Sequence, residues 1–329
     1  MKIKENKYVI FDHEKEINFK YICLAILAKL LGYVYKFLLL IFPLKKRNSK
    51  KHQVSICAIF KNESKYLKEW IEFHRIVGVQ HFYLYNNNSD DEFLSILEPY
   101  IKNGIVDLVE WKKNHAQMEA YRHCITNFAK ESQWIGFIDL DEFVVPIVND
   151  SIYDYLSKFN FKRGAILIYW KLFGSSGYLS RSDDSLVTET FRNCWHKYDA
   201  VGKCFYNTNF SFLLNEKKNS CLHHLLWTKY LGISLPPFNV YNQPILCDYH
   251  FGDNRRVPIQ INHYFTKTYE EYLKKSSKGD VYFQINPHDE AYFYRHEMKC
   301  TDYDYCINKY MVKLKLALHK QNSNSKEMF

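Results

Sequence analysis

The sequence predicts an α/β fold in which helices flank a central, mostly parallel sheet. Three observations predict it. Short apolar runs alternate with helical patterns between residues 54 and 139, several runs end in polar loops, and the run at 134–139 is apolar enough for a strand buried on both faces. With 329 residues, 47% of them hydrophobic and 17% aromatic, the chain can also fill a large core, which excludes a disordered protein.

The first half of the chain alternates strand and helix. A β-branched run at 54–60 predicts a strand that ends in the loop "KNES", and apolar residues at helical spacing predict a helix from Ser64 that Gly78 ends as a C-cap. Right-handed crossovers between parallel strands bring such polar loops to one edge of the sheet, where α/β proteins bind ligands. The pattern continues with a strand at 81–85 and its loop "NNNSDD", a helix at 92–104, a strand at 105–111 and a helix at 112–132.

Three carboxylates follow the fourth predicted strand. Asp139, Asp141 and Glu142 interrupt the apolar stretch "WIGFIDLDEFVVP", and carboxylates at that density need a cation nearby. Asp139 and Asp141 alternate along an extended chain, so both face one way and offer oxygen ligands to Mg²⁺ or Mn²⁺. A metal there would neutralise the charge on a leaving nucleoside diphosphate. The alternative is a solvated strand-end turn, and Glu142 stays open between support of the turn and substrate contact.

The second half of the chain is less regular. The stretch "GAILIYWKLFGSSGY" predicts a strand leading to a Gly/Ser turn, and "QINHYFTKTYEEYLKK" predicts a strand end at His263 followed by a helix. Residues 180–260 show no assignable pattern. His223 and His224 resemble a pair of metal ligands, but neighbours on a strand point to opposite faces, so we expect structural roles for them.

Net charge and cysteine content say little about partners but indicate a compartment. The formal net charge of +9 is spread along the chain, and it suits an anionic membrane or a phosphorylated substrate as well as nucleic acid. Nine cysteines without a C-x-x-C pair argue against a zinc ribbon and against a complete disulfide framework. We interpret them as mostly reduced thiols in the cytoplasm.

Residues 21–44 form an apolar segment that Lys29 and Lys36 interrupt. The two lysines are about two helical turns apart, so they fall on one face, as in a helix lying in a membrane interface. The basic cluster at 45–51 would then meet anionic headgroups. We therefore expect a cytoplasmic protein peripheral to the membrane. The alternatives are a single N-terminal anchor and a helix docked on the protein's own core, whereas a signal peptide is disfavoured because a small-residue cleavage site is lacking.

The chain resembles the GT-A glycosyltransferases, and within them glycosyltransferase family 92 and related family 2-like bacterial enzymes. The resemblance covers roughly residues 54–280 and rests on five stretches in the family's order: "CAIFKNESKYLKEWIEFHRIVGVQHFYLYNNNSDD", "QMEAYRHCI", "WIGFIDLDEFVVP", "YWKLFGSSGY" and "INHYFTKTYEEYLKK". It implies a GT-A (Rossmann-like) sheet with an irregular C-terminal acceptor half. The expected parts are an N-terminal segment with its linker at 1–51, a GT-A domain at 52–317 divided into a nucleotide-sugar half (52–146) and an acceptor half (147–317), and a polar tail at 318–329.

The resemblance also implies a site. Asp141 would bind the metal directly, Asp139 would bind it through water or contact the ribose, and His263 would be a further metal ligand. Mn²⁺ tolerates such a nitrogen ligand better than Mg²⁺ does. The donor would lie against Asn62, Glu63, Asn88, Asp91, Gln117 and Asp139, and the acceptor against Trp170 and the turn of Gly174, Ser175, Ser176 and Gly177.

These features together predict a metal-dependent, inverting glycosyltransferase of the hexosyltransferase type. Inversion needs a carboxylate that takes the acceptor's proton, and among Asp248, Asp183 and Glu271 we prefer Asp248 as the catalytic partner of Asp141. The expected partners are a nucleoside-diphosphate sugar, with UDP favoured, a glycan or lipid-linked glycan of a surface polysaccharide or lipopolysaccharide, and no nucleic acid. Two alternatives are a catalytically inactive GT-A scaffold that binds glycans and, with a poorer fit, a D-x-D phosphatase.

Overall fold

A computed structural model describes residues 10–11, 19–44, 49–113, 116–215, 217–246, 256–277 and 288–326. Asp248, the preferred catalytic base, and part of the basic cluster at 45–51 lie outside these residues.

The helices and strands are numbered in chain order. The helices are α1 (Phe19–Ile41), α2 (Ser64–Ile76), α3 (Phe93–Lys102), α4 (Gln117–Phe128), α5 (Ile152–Leu156), α6 (Val187–Thr190), α7 (Tyr269–Ser277), α8 (Glu290–Met298) and α9 (Asn308–Lys326), with a 3-10 turn at Ser157–Phe159. The strands are β1 (Ile10–Phe11), β2 (His52–Phe60), β3 (His81–Asn86), β4 (Val106–Glu110), β5 (Ser132–Phe137), β6 (Glu142–Pro146), β7 (Ala165–Leu172), β8 (Asn193–Cys194), β9 (Tyr198–Asp199), β10 (Gly202–Asn207), β11 (Ser211–Phe212), β12 (Thr228–Tyr230), β13 (Ile233–Leu235), β14 (Phe238–Asn239), β15 (Ile259–His263) and β16 (Asp302–Tyr303).

One large sheet organises the molecule. Within the described ranges it has nine strands in the order β4-β3-β2-β5-β10-β7-β15-β6, with β14 pairing on β7. The first four strands are parallel, β10 is antiparallel to both of its neighbours, and β15 is parallel to β7 but antiparallel to β6. The predicted α/β fold class with a mostly parallel sheet is therefore confirmed, and the antiparallel β10 comes from the region that had no assignable pattern.

In the first half of the chain, the apolar positions that predicted strand β2 and helix α2 are buried. Strand β2 is buried at every position except Gln53, as expected for a central strand covered on both faces. Helix α2 packs Trp70 and Phe73 into the core, where both side chains are fully buried. Gly78, at φ +97°, ends the segment after α2 in the left-handed conformation that favours glycine. The predicted cap is thus present.

Strands β2 and β5 are adjacent in the sheet although β3 and β4 intervene in sequence. Their parallel register runs from His52 opposite Ser132 to Cys57 opposite Phe137. The chain leaves β2 toward β3 on one side, while β5 lies on the other, so the loops after β2 and β5 flank a topological switch point. Within β5, Gly136 leaves space for the ring of Phe205 on β10, which a side chain at position 136 would meet within 3 Å.

Helix α1 lies on the domain by one face. Ala25, Ala28 and Tyr35 are buried, Gly32 approaches Pro244 closely, and the Tyr230 hydroxyl donates to the carbonyl oxygen of Phe42 at 2.9 Å. Residues Ile22–Ile41 are long and apolar enough to cross a membrane. The outward face of α1 exposes large apolar side chains: Ile26, Leu27, Leu30, Tyr33, Val34, Phe37, Leu40 and Ile41.

Helix α9 includes most of the segment that was expected to be a polar tail. The segment expected as a polar tail from 318 begins inside α9, which continues to Lys326. The helix packs against α2, where the rings of Tyr310 and Phe73 meet edge to face at 5.9 Å. Tyr310, Met311 and Leu314 are buried, whereas Val312 and Leu316 are exposed, so one face of α9 packs on the domain.

Candidate functional site

Two loops at the carboxyl ends of β2 and β3 are joined by hydrogen bonds. The Asn62 N–H donates to Ser89 Oγ at 2.9 Å, and Asn62 Oδ1 accepts from the Asp90 N–H at 2.9 Å. Asp91 Oδ2 accepts from the Ser64 N–H at 2.8 Å, at the start of α2. Asn62 and Asn88 both adopt left-handed backbone conformations. The predicted donor residues Asn62, Glu63, Asn88 and Asp91 therefore share one loop pair at the switch point.

The turn "DLDE" after β5 is held in place by its own atoms and by Trp70. The Glu142 N–H donates to the Asp139 carbonyl at 3.1 Å, and Glu142 Oε2 accepts from the Asp139 N–H at 2.9 Å. The indole N–H of Trp70 points to the carbonyl oxygens of Asp139 and Glu142, at 3.1 and 2.9 Å. These bonds fix the direction in which the Asp139 and Asp141 side chains leave the turn.

Both carboxylate oxygens of Asp139 accept hydrogen bonds from the protein. Gln117 Nε2 donates to Oδ1 at 3.0 Å, the Tyr121 hydroxyl donates to Oδ1 at 3.2 Å, and Lys203 Nζ donates to Oδ2 at 2.7 Å. Gln117 was predicted as a site residue, but Tyr121 and Lys203 were missed. Tyr121 follows Gln117 by one helical turn on α4, a spacing that was available as a signal. Lys203 lies on β10, and nothing in its neighbourhood distinguishes it in the sequence.

Glu142 and Lys203 form a buried pair beneath the turn. The Glu142 side chain is fully buried, and its Oε1 lies 3.6 Å from Lys203 Nζ without a hydrogen-bond partner among the described residues. Burial, followed by repulsion from Asp139 and Asp141, raises the pKa of Glu142 well above its usual value despite the attraction of Lys203. Glu142 therefore supports the turn and the lysine from inside, which answers the question that the sequence left open.

The second carboxylate, Asp141, meets His263 and Lys275. Its Oδ1 lies 3.7 Å from His263 Nε2, and its Oδ2 accepts from Lys275 Nζ at 2.6 Å. Strand β15 positions the histidine, because His263 pairs with Glu142 on β6 and the Tyr264 N–H donates to the Asp141 carbonyl at 2.9 Å. Burial alone would raise the pKa of Asp141, but Lys275 and His263 together hold it well below its usual value. Asp141 thus stays ionised.

Asp141 and His263 are the residues best placed to act as ligands of a divalent metal. The 3.7 Å separation of Asp141 Oδ1 and His263 Nε2 is short enough for both atoms to bind one ion at about 2.0–2.2 Å. Burial, the largest influence, lowers the pKa of His263 and keeps the imidazole neutral, as a metal ligand requires. Asp139 already accepts from three donors, so a contact through water suits it better than direct ligation.

Lys267 adds a second cation facing Asp141. Its side chain is buried, its backbone is left-handed at φ +51°, and its Nζ lies 4.5 Å from the ring centre of Tyr66. Burial lowers the pKa of Lys267 below its usual value, and the charges of Asp141 and Glu63 offset only part of this effect. Lys267 and Lys275 were missed, although both lie in the stretch "HYFTKTYEEYLKK" that begins with His263. Their ammonium groups could hold phosphate oxygens beside the metal donors.

Trp170, which was expected to contact the acceptor, lies next to His263. Its ring centre is 4.6 Å from that of His263 and 5.1 Å from that of His224. The indole N–H is buried and has no hydrogen-bond partner in the described part of the chain. Trp170 is half-buried, so part of its ring remains available to a ligand.

The Gly/Ser turn that was expected to form an acceptor wall is bound mainly to the protein itself. Ser175 donates to Glu297 through its N–H and its hydroxyl, both at 2.8 Å, and Ser176 Oγ accepts from the Arg192 and Asn193 N–H groups. Gly174 packs against Glu297 and Cys300. Gly177, at φ +79°, borders open space, so its backbone is the part of the turn that faces outward.

The two described candidates for the catalytic base are held in ion pairs. Asp183 is largely exposed and lies 2.8 Å from Lys65 Nζ. Glu271 lies 2.9 Å from the Arg181 guanidinium. Although burial alone would raise the pKa of Glu271, the Arg181 pair lowers it to about 2, which makes this carboxylate a weak base.

The histidine pair at 223 and 224 is arranged differently from the prediction. The expectation that the two side chains point to opposite faces assumed a strand, but residues 217–224 form consecutive turns. The ring centres of His223 and His224 lie 4.0 Å apart, and the His223 ring also contacts Tyr121 at 5.7 Å. Both rings therefore lie on one side of the chain, next to the site.

Comparison with known proteins identifies relatives of one family. The model of glycosyltransferase family 92 matches residues 50–277. A glycosyltransferase family 92 protein of Oryza sativa subsp. japonica is 33% identical over 144 residues, which are 41% of this chain and 24% of that protein. A family 92 protein of Ricinus communis is 35% identical over 98 residues, covering 30% of this chain and 18% of that protein. The chain thus spans about a quarter or less of the length of these relatives.

Among solved structures, the chain is similar to S. aureus TarS. The structure of TarS 1-349 matches with a TM-score of 0.37 and 12% identity, covering 68% of this chain and 64% of TarS. The complex of TarS 1-349 with UDP matches with a TM-score of 0.33 and 14% identity, covering 51% and 52%.

Proposed function

The chain belongs to glycosyltransferase family 92, and we propose that it transfers a sugar from a nucleoside-diphosphate sugar to a glycan acceptor. UDP is the favoured nucleotide. The observation that carries the proposal is the meeting of Asp141 and His263, 3.7 Å apart, beside the loops at the switch point. A carboxylate and a neutral imidazole next to two lysines suit a metal-bound diphosphate better than they suit an uncharged ligand.

The metal of this proposal is Mn²⁺ or Mg²⁺, held by Asp141 Oδ1 and His263 Nε2, with Asp139 contributing through water. When bound, the ion neutralises part of the charge that develops on the leaving diphosphate. The imidazole favours Mn²⁺ over Mg²⁺. Lys275 Nζ lies 2.6 Å from Asp141 Oδ2, and 39% of the lysine side chain is exposed. The ammonium group can therefore turn from the carboxylate toward a phosphate oxygen.

The remaining residues orient and hold the donor. Lys203 and Gln117 fix the Asp139 carboxylate, so that it presents one direction to the ribose or to a bound water. Lys267 supplies a buried positive charge at the diphosphate. Asn62 and Asp91 border the space for the nucleoside, since Asp91 Oδ1 is buried and has no hydrogen-bond partner within the described ranges. Trp170 offers an apolar ring face to the acceptor sugar.

The proposed transfer inverts the configuration at the anomeric carbon. The acceptor oxygen forms a bond to the anomeric carbon, the bond from that carbon to the diphosphate oxygen breaks, and a carboxylate takes the acceptor's proton. We assign this base to Asp248, because Glu271 is bound to Arg181 and Asp183 is bound to Lys65 at the surface.

We also propose that the protein works at the cytoplasmic face of a membrane on a lipid-linked glycan of a surface polysaccharide or lipopolysaccharide. Helix α1 contacts the domain from Ala25 to Phe42, so a helix crossing the bilayer would lose these contacts. With α1 docked, its outward apolar face can instead enter the membrane interface, with Lys29 and Lys36 at the headgroups.

A donor screen tests the proposed function. UDP-, GDP- and CMP-sugars are added to the full chain with and without Mn²⁺, and thermal stability and donor turnover are measured. We expect a metal-dependent stabilisation by one class of nucleoside-diphosphate sugar, together with release of the nucleoside diphosphate. Glycan binding without turnover would favour the inactive scaffold, and release of inorganic phosphate from phosphomonoesters would favour the D-x-D phosphatase.

A further inference from the structure

Three side chains with metal-binding atoms meet in the turn after residue 220. The ligand atoms of Cys221, His223 and His224 all lie within 4.8 Å of one another. Cys221 Sγ is 3.9 Å from both ring nitrogens of His223. Two ligands of a tetrahedral zinc ion, at bond lengths of 2.3 Å for sulfur and 2.0–2.1 Å for nitrogen, are about 3.6 Å apart. The cluster therefore has the dimensions of a zinc site.

The hydrogen bonds of the turn fix the orientation of these ligands. His224 Nδ1 donates to the carbonyl oxygen of Gly202, and Nε2 is the ring nitrogen that the proposal assigns to the metal. A backbone carbonyl bonded to the second ring nitrogen is the usual support of a metal-binding histidine. The turn is also bonded to β10, because the Cys204 N–H donates to the His223 carbonyl at 2.7 Å.

The chemistry of the cluster differs from that of the Asp141 site. We propose that Cys221, His223 and His224 bind a borderline-soft transition metal, with Zn²⁺ as the best fit, and leave a fourth position to water. A thiolate and two imidazoles prefer Zn²⁺, whereas a carboxylate and a diphosphate suit Mn²⁺ or Mg²⁺. Binding deprotonates the Cys221 thiol and releases that proton to solvent, and the thiolate then offsets one of the two charges of the ion.

The surroundings of the cluster permit this ion. His223 is buried, and the centre of its ring lies 5.7 Å from that of Tyr121. The nearby ammonium of Lys203 is already paired with the Asp139 carboxylate at 2.7 Å. The neighbouring thiol of Cys204 donates to the His224 carbonyl oxygen, with Sγ 3.2 Å from that oxygen.

A bound ion would hold the turn against the donor site. The His223 ring packs on Tyr121, which bonds Asp139, and the His224 ring packs on Trp170, which contacts His263. The turn is connected to β10 next to Lys203. The proposed zinc thus positions residues around the donor site, and the inference does not depend on the proposed transfer reaction.

A second cluster provides a matched control. His296, Glu297 and Cys300 also lie within 4.8 Å of one another. Both carboxylate oxygens of Glu297, however, accept from Ser175, and His296 Nε2 is bonded to the Phe173 carbonyl. This cluster contains one thiol, as the proposed site does, but its ligand atoms hold the Gly/Ser turn and α8 together.

Cobalt substitution tests the proposal on the full chain. Co²⁺ is added to metal-stripped protein, and the thiolate-to-cobalt charge-transfer absorption is measured in the wild type, Cys221→Ser, His223→Gln, Cys300→Ser and Asp141→Ala. We expect one equivalent of Co²⁺ to produce the band in the wild type and Zn²⁺ to displace it. Cys221→Ser should lose the band, while Cys300→Ser and Asp141→Ala should keep it.

His223→Gln, the other variant of the proposed zinc site, keeps the test decisive if Cys221→Ser disturbs folding. His223→Gln retains the thiolate but removes a nitrogen ligand, so the affinity for Zn²⁺ should fall roughly 10-fold or more with unchanged circular dichroism. The proposal is overturned if the wild type gives no band, if the band survives in Cys221→Ser, or if it is lost in Cys300→Ser.

Discussion

Lys203 Nζ lies 2.7 Å from Asp139 Oδ2, and the lysine side chain is 1% exposed. Strand β10 brings this ammonium group between β5 and β7, directly beneath the turn that carries the D-x-D carboxylates. Although burial lowers the pKa of Lys203, Asp139 and Glu142 raise it above its usual value, so the lysine is charged. A protein cation thus holds the first carboxylate, and Asp141 is the one that faces the proposed metal.

Replacing Lys203 by methionine should destabilise the fold. The variant leaves the Asp139 carboxylate without the buried ammonium that lies 2.7 Å from its Oδ2, and breaking a buried ion pair on one side costs about 3 kcal/mol. Urea denaturation at pH 7 measures the change. The control is Lys113→Met, which breaks the exposed pair with Glu119 and should cost less than about 1 kcal/mol. Equal, small losses for both variants would contradict the assigned role of Lys203.

Removal of the lysines near Asp141 should weaken nucleotide binding. Lys267→Met and Lys275→Met each remove a charge proposed to lie on the diphosphate, and one charge-assisted hydrogen bond is worth roughly a tenfold change in affinity. Calorimetric titration of the nucleoside diphosphate in the presence of Mn²⁺ measures this change. Lys274→Met, an exposed neighbour on α7, is the control and should bind as the wild type does. Unchanged affinity in both site variants would exclude a phosphate-binding role.

The Glu271–Arg181 pair should make stability depend on pH in the acid range. The pKa of Glu271 is lowered from 4.5 to about 2 in the folded protein. The ionised side chain therefore contributes its full share to the free energy of unfolding above pH 4.5, and this share is lost as the pH falls through 2. A shift of this size corresponds to about 3 kcal/mol. Glu271→Gln should therefore be less stable than the wild type at pH 7, and the difference should vanish near pH 2.

Urea denaturation between pH 7 and pH 2 checks this dependence. Asp183→Asn, at a largely exposed carboxylate, serves as the control and should leave the wild-type pH profile almost unchanged. A Glu271→Gln variant that keeps the full acid slope would show that another group produces it.

The outward face of α1 should bind membranes. Leu30→Ser and Phe37→Ser replace side chains that are 59% and 62% exposed, so the fold should be retained while affinity for anionic vesicles falls by about tenfold for each variant. Co-sedimentation with vesicles measures the partition. Leu214→Ser, an exposed leucine in another part of the chain, is the control. Resistance of the membrane-bound protein to carbonate extraction would instead favour a spanning anchor.

The sequence predicted the parts of the fold that local patterns determine. Strand β2 and helix α2 with Gly78 lie where hydrophobic periodicity and a turn residue placed them. Strand β5 ends at Phe137, two residues before the predicted end, so Asp139 and Asp141 lie in a turn and face different partners, where an extended chain with both on one side was expected. The helical spacing of apolar residues is a local property of the sequence, so it could be recognised without knowing which distant segments the helix contacts. Convergence of the polar loops followed from the topology of parallel strands, since the order of elements alone brings these strand ends to one edge.

The parts that were missed depend on contacts between distant segments. Lys203 is 64 residues from Asp139, and its strand is defined by pairing with β5 and β7 and by no periodicity of its own. The arrangement of His223 and His224 depends on bonds from their turn to β10. Packing on α2 stabilises helix α9, which includes residues whose composition indicated a tail.

The central claim, that Asp141 holds the metal on which sugar transfer depends, is tested by donor turnover. Release of the nucleoside diphosphate is measured against Mn²⁺ concentration for the wild type, Asp141→Ala and the surface control Asp183→Ala, with circular dichroism as the check of folding. We expect Asp141→Ala to be folded and to lose Mn²⁺-dependent release, and Asp183→Ala to retain it. Undiminished Mn²⁺-dependent turnover in Asp141→Ala would contradict the account.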